Sequence, residues 1–134
     1  MAAGSELHKA GAAKRRQLMG DAAVEAAAKG IYSDPVMQKF IDVATETVFG
    51  ALWTRPGLDT KTRALICVVS DACGGREPEL ALHIHFALRQ GWTEEELTET
   101  LLHLSGYVGV PIIRESMMVA SRVFKEYREE IGKA

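Results

Sequence analysis

The sequence predicts an all-α protein, and three observations carry that reading. Apolar residues recur at intervals of three and four along most of the chain, no segment alternates apolar and polar residues as a half-buried strand does, and no asparagine-glycine hairpin signal occurs. At 134 residues, 47% hydrophobic and 25% charged, the chain fits one globular domain. A single-domain helical bundle of about six helices is expected over residues 21–134, behind a small, basic N-terminal arm of residues 1–20 that carries Lys14, Arg15 and Arg16.

The first helix is GDAAVEAAAKG, opened by Asp21 and stopped by Gly30. Asp34 followed by Pro35 starts the second, because the carboxylate accepts the free amides of a first turn and proline has none to offer. Phe40, Val43, Ala44, Thr47, Val48, Ala51 and Leu52 then draw one apolar stripe as far as about Trp53. Arg55, Pro56 and Gly57 break the chain, and Asp59 caps the very apolar TKTRALICVVSDAC. Gly74 and Gly75 end that helix, Pro78 opens ELALHIHFALRQ, and Gly91 closes it. Thr93 and Glu96 form a capping box for EEELTETLLHLSGYVG, and after Gly109 and Pro111 a last amphipathic helix runs from about Ile112 to Ile131. Six helices in so short a chain leave much apolar surface on each, so burial between subunits is expected.

Sixteen Lys and Arg against 18 Asp and Glu leave a net charge of -2, which gives no general attraction to nucleic acid or to an acidic membrane. Anions must be gripped locally. Cys67 and Cys73 lie on one helix with side chains on different faces, so they cannot bridge and read as reduced, cytoplasmic thiols. The N-terminus lacks the apolar stretch of a secretory signal, and no run reaches the ~18 apolar residues of a membrane span.

His83 and His85 stand about 200° apart on their helix and cannot share a metal, and no His or Cys pair is spaced three or four apart, so no metal is expected. On the same wheel Leu80, Ile84, Ala87 and Leu88 form the buried stripe with His83 at its edge, where it serves either as a satisfied core-edge histidine or as a general acid or base. His103 falls one turn before Tyr107, so the two side chains neighbour each other. Arg63, beside an apolar stripe, either snorkels or clamps a carboxylate; Arg16, Arg55 and Arg114 are further cations of the same two uses. Cys67 lies mid-helix among apolar neighbours, where burial disfavours the thiolate. Neither a phosphate-cradling loop nor a dinucleotide fingerprint is present.

The segment WTRPGLDTKTRAL, residues 53–65, followed by ELALHIHFALRQGWTEEELTETLLHLSGYVGVP, residues 79–111, resembles the carboxymuconolactone decarboxylase family. The WxRPGL loop, the histidine, the glycine eight residues later, the TxEEL cap and the YxGxP end share its spacing, and the early KRRQLMGDAAV is similar to the N-terminal part of its decarboxylases. Peroxidase-like members carry CxxCxxxH; here His83 matches that histidine while Arg76 and Glu79 stand in the cysteine positions, which disfavours thiol chemistry.

The resemblance implies an alkylhydroperoxidase-D-like helical fold, a homo-oligomer (trimer or hexamer), and a cofactor-free enzyme of protocatechuate (β-ketoadipate) catabolism. Its implied reaction is decarboxylation of 4-carboxymuconolactone or a close relative to an enol-lactone plus CO2. His83 then transfers the proton, Arg63 with Arg16 or Arg55 holds the carboxylates, and Tyr107 or His103 contacts the carbonyl oxygen. The sequence departs from the family in the HLSG before Tyr107, in bulky Ile112, Ile113 and Arg114 after the YxGxP proline, and in Gly74-Gly75 before Arg76. Two other readings stand beside this one: a thiol-dependent antioxidant protein, or a non-catalytic or other-substrate paralogue of the same fold.

Overall fold

A computed structural model describes residues 4–132, and every regular element among them is helical. Seven α-helices follow one another: α1 (Glu6–Met19), α2 (Asp21–Lys29), α3 (Pro35–Ala44), α4 (Thr60–Gly74), α5 (Glu77–Arg89), α6 (Glu94–Val108) and α7 (Val110–Glu130). A 3-10 turn at Ile31–Ser33 and a π-helical segment at Thr45–Gly50 complete the set. The chain divides into two compact units, residues 1–58 and 59–134.

In the first unit, the stretch expected as an arm holds a fourteen-residue helix. The Ser5 side chain accepts from the His8 amide at its start and donates to Glu46 Oε2 at 2.9 Å. Gly11, which lowers helix propensity and hides α1 from sequence reading, is the residue that lets the helix pack. A Cβ there meets the Thr45 carbonyl oxygen at 1.8 Å and the Gly50 nitrogen at 2.7 Å. Asp21 lies in the first turn of α2 rather than capping it, since Gly20 occupies the cap without a side-chain hydrogen bond.

Asp34 caps α3 as expected, accepting from the amides of Val36 at 2.9 Å and Met37 at 3.1 Å. The expected single helix to Trp53 instead widens after Ala44, where Ala51 N–H reaches Glu46 O and Trp53 N–H reaches Val48 O, both five residues back. The apolar stripe lies largely exposed in this chain: Phe40 is 57%, Val43 48% and Leu52 52% accessible.

The second unit packs α4 against α5, with α6 and α7 closing the core. Val68, Leu80, Ile84, Phe86, Leu97 and Leu101 are its largest fully buried side chains, each contributing ~1.5–3 kcal/mol by leaving water. Asp59 caps α4 by accepting from the Thr62 amide at 2.7 Å. The Thr93–Glu96 capping box forms in full and holds the Glu96 carboxyl below its usual range through the Thr93 hydrogen bonds. Gly109, at φ 112°, supplies the sharp turn into α7, which starts at Val110, slightly earlier than expected, with Pro111 in its first turn. Among the described residues no helix is long and apolar enough to cross a membrane.

Candidate functional site

Helix α4 ends in a Schellman motif, and that backbone geometry builds the site. Gly75 takes the left-handed conformation at φ 66°, its N–H reaches Ala72 O at 3.3 Å, and Arg76 N–H reaches Asp71 O at 3.1 Å. The motif brings the side chains at positions 71 and 76 together; a hydrophobic contact often sits there, and here an ion pair does. Arg76 donates to Asp71 Oδ1 from Nε at 3.3 Å and from Nη2 at 3.2 Å. Nη2 also reaches the Ser70 carbonyl at 3.1 Å and its Oγ at 3.0 Å.

The other carboxylate oxygen, Asp71 Oδ2, meets Nδ1 of His83 from the second turn of α5. A carboxylate only accepts, so Nδ1 carries the hydrogen and Nε2 is left as the working nitrogen of the ring. The imidazole is further fixed by an edge contact with fully buried Phe86, ring centroids 5.1 Å apart at 86°. Asp71 is buried, whereas His83 keeps 17% of its side chain accessible and Arg76 52%. One buried carboxylate thus orients an imidazole and a guanidinium that both reach solvent, an arrangement suited to moving a proton beside a bound anion.

His83 lies at the edge of the buried stripe, where the helical wheel puts it. His103 and Tyr107 do neighbour each other, with ring centroids 5.2 Å apart, yet neither makes a hydrogen bond or ring contact with His83 among the described residues. His103 lines a groove of about 600 Å³ with Val69, Glu95, Glu96, Glu99, Thr100 and Leu104. Neither His83 nor Asp71 lines it.

Arg63 stands near the start of α4, two turns before Asp71 and ~12 Å away along the axis. Arg16 and Arg55 belong to the first unit, where Arg16 pairs with Asp21 at 3.3 Å and Glu25 at 3.8 Å. His85 pairs with Glu130 at 2.9 Å and packs edge-on to Tyr127.

Both cysteines are free thiols, as expected. Burial, reinforced by Asp71 and Glu79, pushes the Cys67 thiol up to about 11, which leaves it a poor nucleophile. Among the described residues no three His, Cys, Asp or Glu gather to hold a metal.

Asp71 and the role of Arg76 escaped the sequence reading. The available signal is an acid in phase with Ala64, Val68 and Ala72 on the buried face of α4, since a carboxylate placed there must find partners. Asp71, Gly75 and Arg76 at the spacing of a Schellman motif then name one of them.

A buried carboxylate holding a histidine at the turn between two helices of an all-α unit defines the class as a helical protein equipped for acid–base chemistry. The carboxymuconolactone decarboxylase family profile matches residues 38–122, and the chain belongs to that family. It is 32% identical over 119 residues to a 4-carboxymuconolactone decarboxylase of Acinetobacter baylyi, covering 89% of this chain and 87% of that one. It is also 32% identical over 129 residues to a nitrosuccinic acid decarboxylase of Metarhizium robertsii, covering 93% and 89%. Named relatives over most of the chain's length are thus carboxy-lyases, which supports decarboxylation at the level of the family.

Proposed function

We propose that this chain is a cofactor-free decarboxylase acting on 4-carboxymuconolactone or a close relative, with His83 as the proton-transfer residue. The observation that carries the reading is the Asp71–His83 pair, which leaves Nε2 aimed away from its fixing carboxylate. In the proposed reaction the bond to the departing carboxylate breaks, CO2 leaves, and the electron pair passes through the ring double bond into the lactone carbonyl. With Nδ1–H held by Asp71, His83 Nε2 first takes a proton from water, the buried carboxylate stabilising the imidazolium so formed; the dienolate then takes that proton at carbon and the ring returns to its neutral Nδ1–H form. The lactone itself is the electron sink, so the reaction calls only for cations on carboxylates, a donor on the carbonyl oxygen and a proton source.

In this reading Arg63 remains a carboxylate ligand within the second unit, and His103 or Tyr107, which share a face of α6, serves the carbonyl oxygen. Arg16, which pairs with two acids of its own unit, and Arg55 remain candidate carboxylate ligands in this reading. A homo-oligomer, trimer or hexamer, belongs to the same proposal, supported by the exposed stripe of Val36, Phe40 and Val43 on α3.

The likeness to a nitrosuccinic acid decarboxylase favours a second substrate reading within the same chemistry: an open-chain acid whose nitro group accepts the electrons in place of the lactone. The test is CO2 release from 4-carboxymuconolactone, generated enzymatically in the cuvette, and from nitrosuccinate, each against its background decay. His83→Ala, a change at the edge of the stripe, is expected to keep the oligomer and lower turnover ~10²-fold or more. Unchanged turnover in the folded variant removes His83 from the mechanism.

A further inference from the structure

Both substrates considered above are dicarboxylic acids that lose one carboxylate and keep the other, so a site for them needs a cation for the group that stays. We infer that Arg76 is that cation: with Nε and Nη2 anchored on Asp71 and Ser70, it presents Nη1 to the retained carboxylate of a small dicarboxylic substrate whose reacting carbon faces His83. The ligand's identity rests on the decarboxylase reading; the placement of the cation rests on geometry alone.

Three observations support the assignment. First, Nε and Nη2 take all four hydrogen bonds that the guanidinium makes among the described residues, and Nη1 takes none of them. The fork is therefore rigid at one edge and open at the other, which reduces the ordering a ligand must impose. Second, Arg76 and His83 hold opposite oxygens of one buried carboxylate, so the anion site and the proton site keep a fixed spacing. Third, the guanidinium lies over Gly74: a Cβ there comes within 2.3 Å of Nη1 and 2.9 Å of Cζ. Glycine at 74 gives the guanidinium its seat, and an alanine must push it aside.

A single carboxylate is also why Arg76 can serve without being neutralised. Asp71 is shared between Arg76 and His83, and the guanidinium is half exposed, so its charge remains available to an incoming anion.

The test titrates the purified protein with succinate, a stable dicarboxylate, and with uncharged succinamide as control, read by 1H–15N NMR at Arg76 Nε–Hε and at the amides of residues 74–77. Succinate is expected to saturate and to move the Nε–Hε signal, and succinamide is not. Arg76→Ala should weaken succinate binding tenfold or more. Gly74→Ala, which keeps the charge and displaces the guanidinium, should weaken it severalfold, as should Arg76→Lys, which keeps the charge and loses the fork. If Arg76→Ala fails to fold, the latter two variants carry the comparison.

Absence of saturable succinate binding to the native protein overturns the inference. So does a dissociation constant that stays within twofold in the folded variants. With 4-carboxymuconolactone as substrate, Arg76→Ala should raise KM tenfold or more with a smaller fall in kcat. Succinate bound through Arg76 without any CO2 release defeats the decarboxylase reading and leaves the anion site standing. Turnover with unchanged KM in Arg76→Ala defeats the anion site and leaves the decarboxylase.

Discussion

Replacing Asp71 with asparagine removes one charge and almost no volume, and its effect follows from which end of the amide faces which partner. Two donors of Arg76, Nε at 3.3 Å and Nη2 at 3.2 Å, converge on Oδ1, so the amide oxygen stays there. The amide NH2 then faces His83 Nδ1, which must accept, and the hydrogen of the neutral ring moves to Nε2. Donation from that tautomer leaves an imidazolate, and reloading from water is blocked because Nε2 is already filled. Turning the amide over would restore the ring but set NH2 against the guanidinium. Two charge-assisted hydrogen bonds favour the wrong orientation by ~3–6 kcal/mol before screening. Halving that for a half-exposed arginine leaves ~1.5–3 kcal/mol, or ~10- to 100-fold.

The expected result for Asp71→Asn is therefore a fall in kcat of ~10- to 100-fold, with ring 15N shifts that report the hydrogen on Nε2. Adding Arg76→Ala frees the amide to turn, so the double variant should regain part of the lost kcat at saturating substrate. A kcat within threefold of the parent, or a ring tautomer unchanged by the substitution, refutes the reasoning.

Cys67, whose thiol is pushed up to about 11, should hold only ~10⁻³ of its population as thiolate at pH 8. In a Cys73→Ser background its labelling rate should climb about tenfold per pH unit up to that value; rapid labelling near neutrality contradicts the burial argument. Gly11→Ala drives a methyl into the backbone of the π segment and should lower unfolding stability by ~2–4 kcal/mol in urea titration. Gly57→Ala, which meets nothing within 4 Å, should be near neutral in the same assay. Thr93→Ala removes half the capping box and should lose ~1 kcal/mol, read as a lower denaturant midpoint at constant slope.

Local signals were legible because they act within one turn. Asp34, Asp59 and the Thr93–Glu96 pair each declare a helix start through side chains that reach amides two or three residues on, and all three form. The placement of His83 at a stripe edge followed from the wheel alone. Helix α1 was hidden because Gly11 weakens propensity for the sake of a contact with residues 45 and 50, far away in sequence. The stripe through Phe40 and Val43 shows another limit: periodicity says that a face wants cover, and in this chain much of that face lies exposed. Asp71 and Arg76 sit on either side of a helix stop whose glycines were readable, but which side chains that stop brings together depends on a left-handed residue rather than on helical spacing.

Ser70, Asp71, Arg76 and His83 all fall within residues 70–83, so the proposed anion site and proton site are local in the chain. Their geometry depends on one turn between two helices, and closing so short a loop is a fast, low-entropy event compared with the long-range contacts that gather α6 and α7. A site of such low contact order travels as a cassette: changes elsewhere in the bundle can reshape what is admitted to it while the spacing between anion and proton is kept. That modularity offers one helical scaffold a physical route to different acids without rebuilding the proton relay.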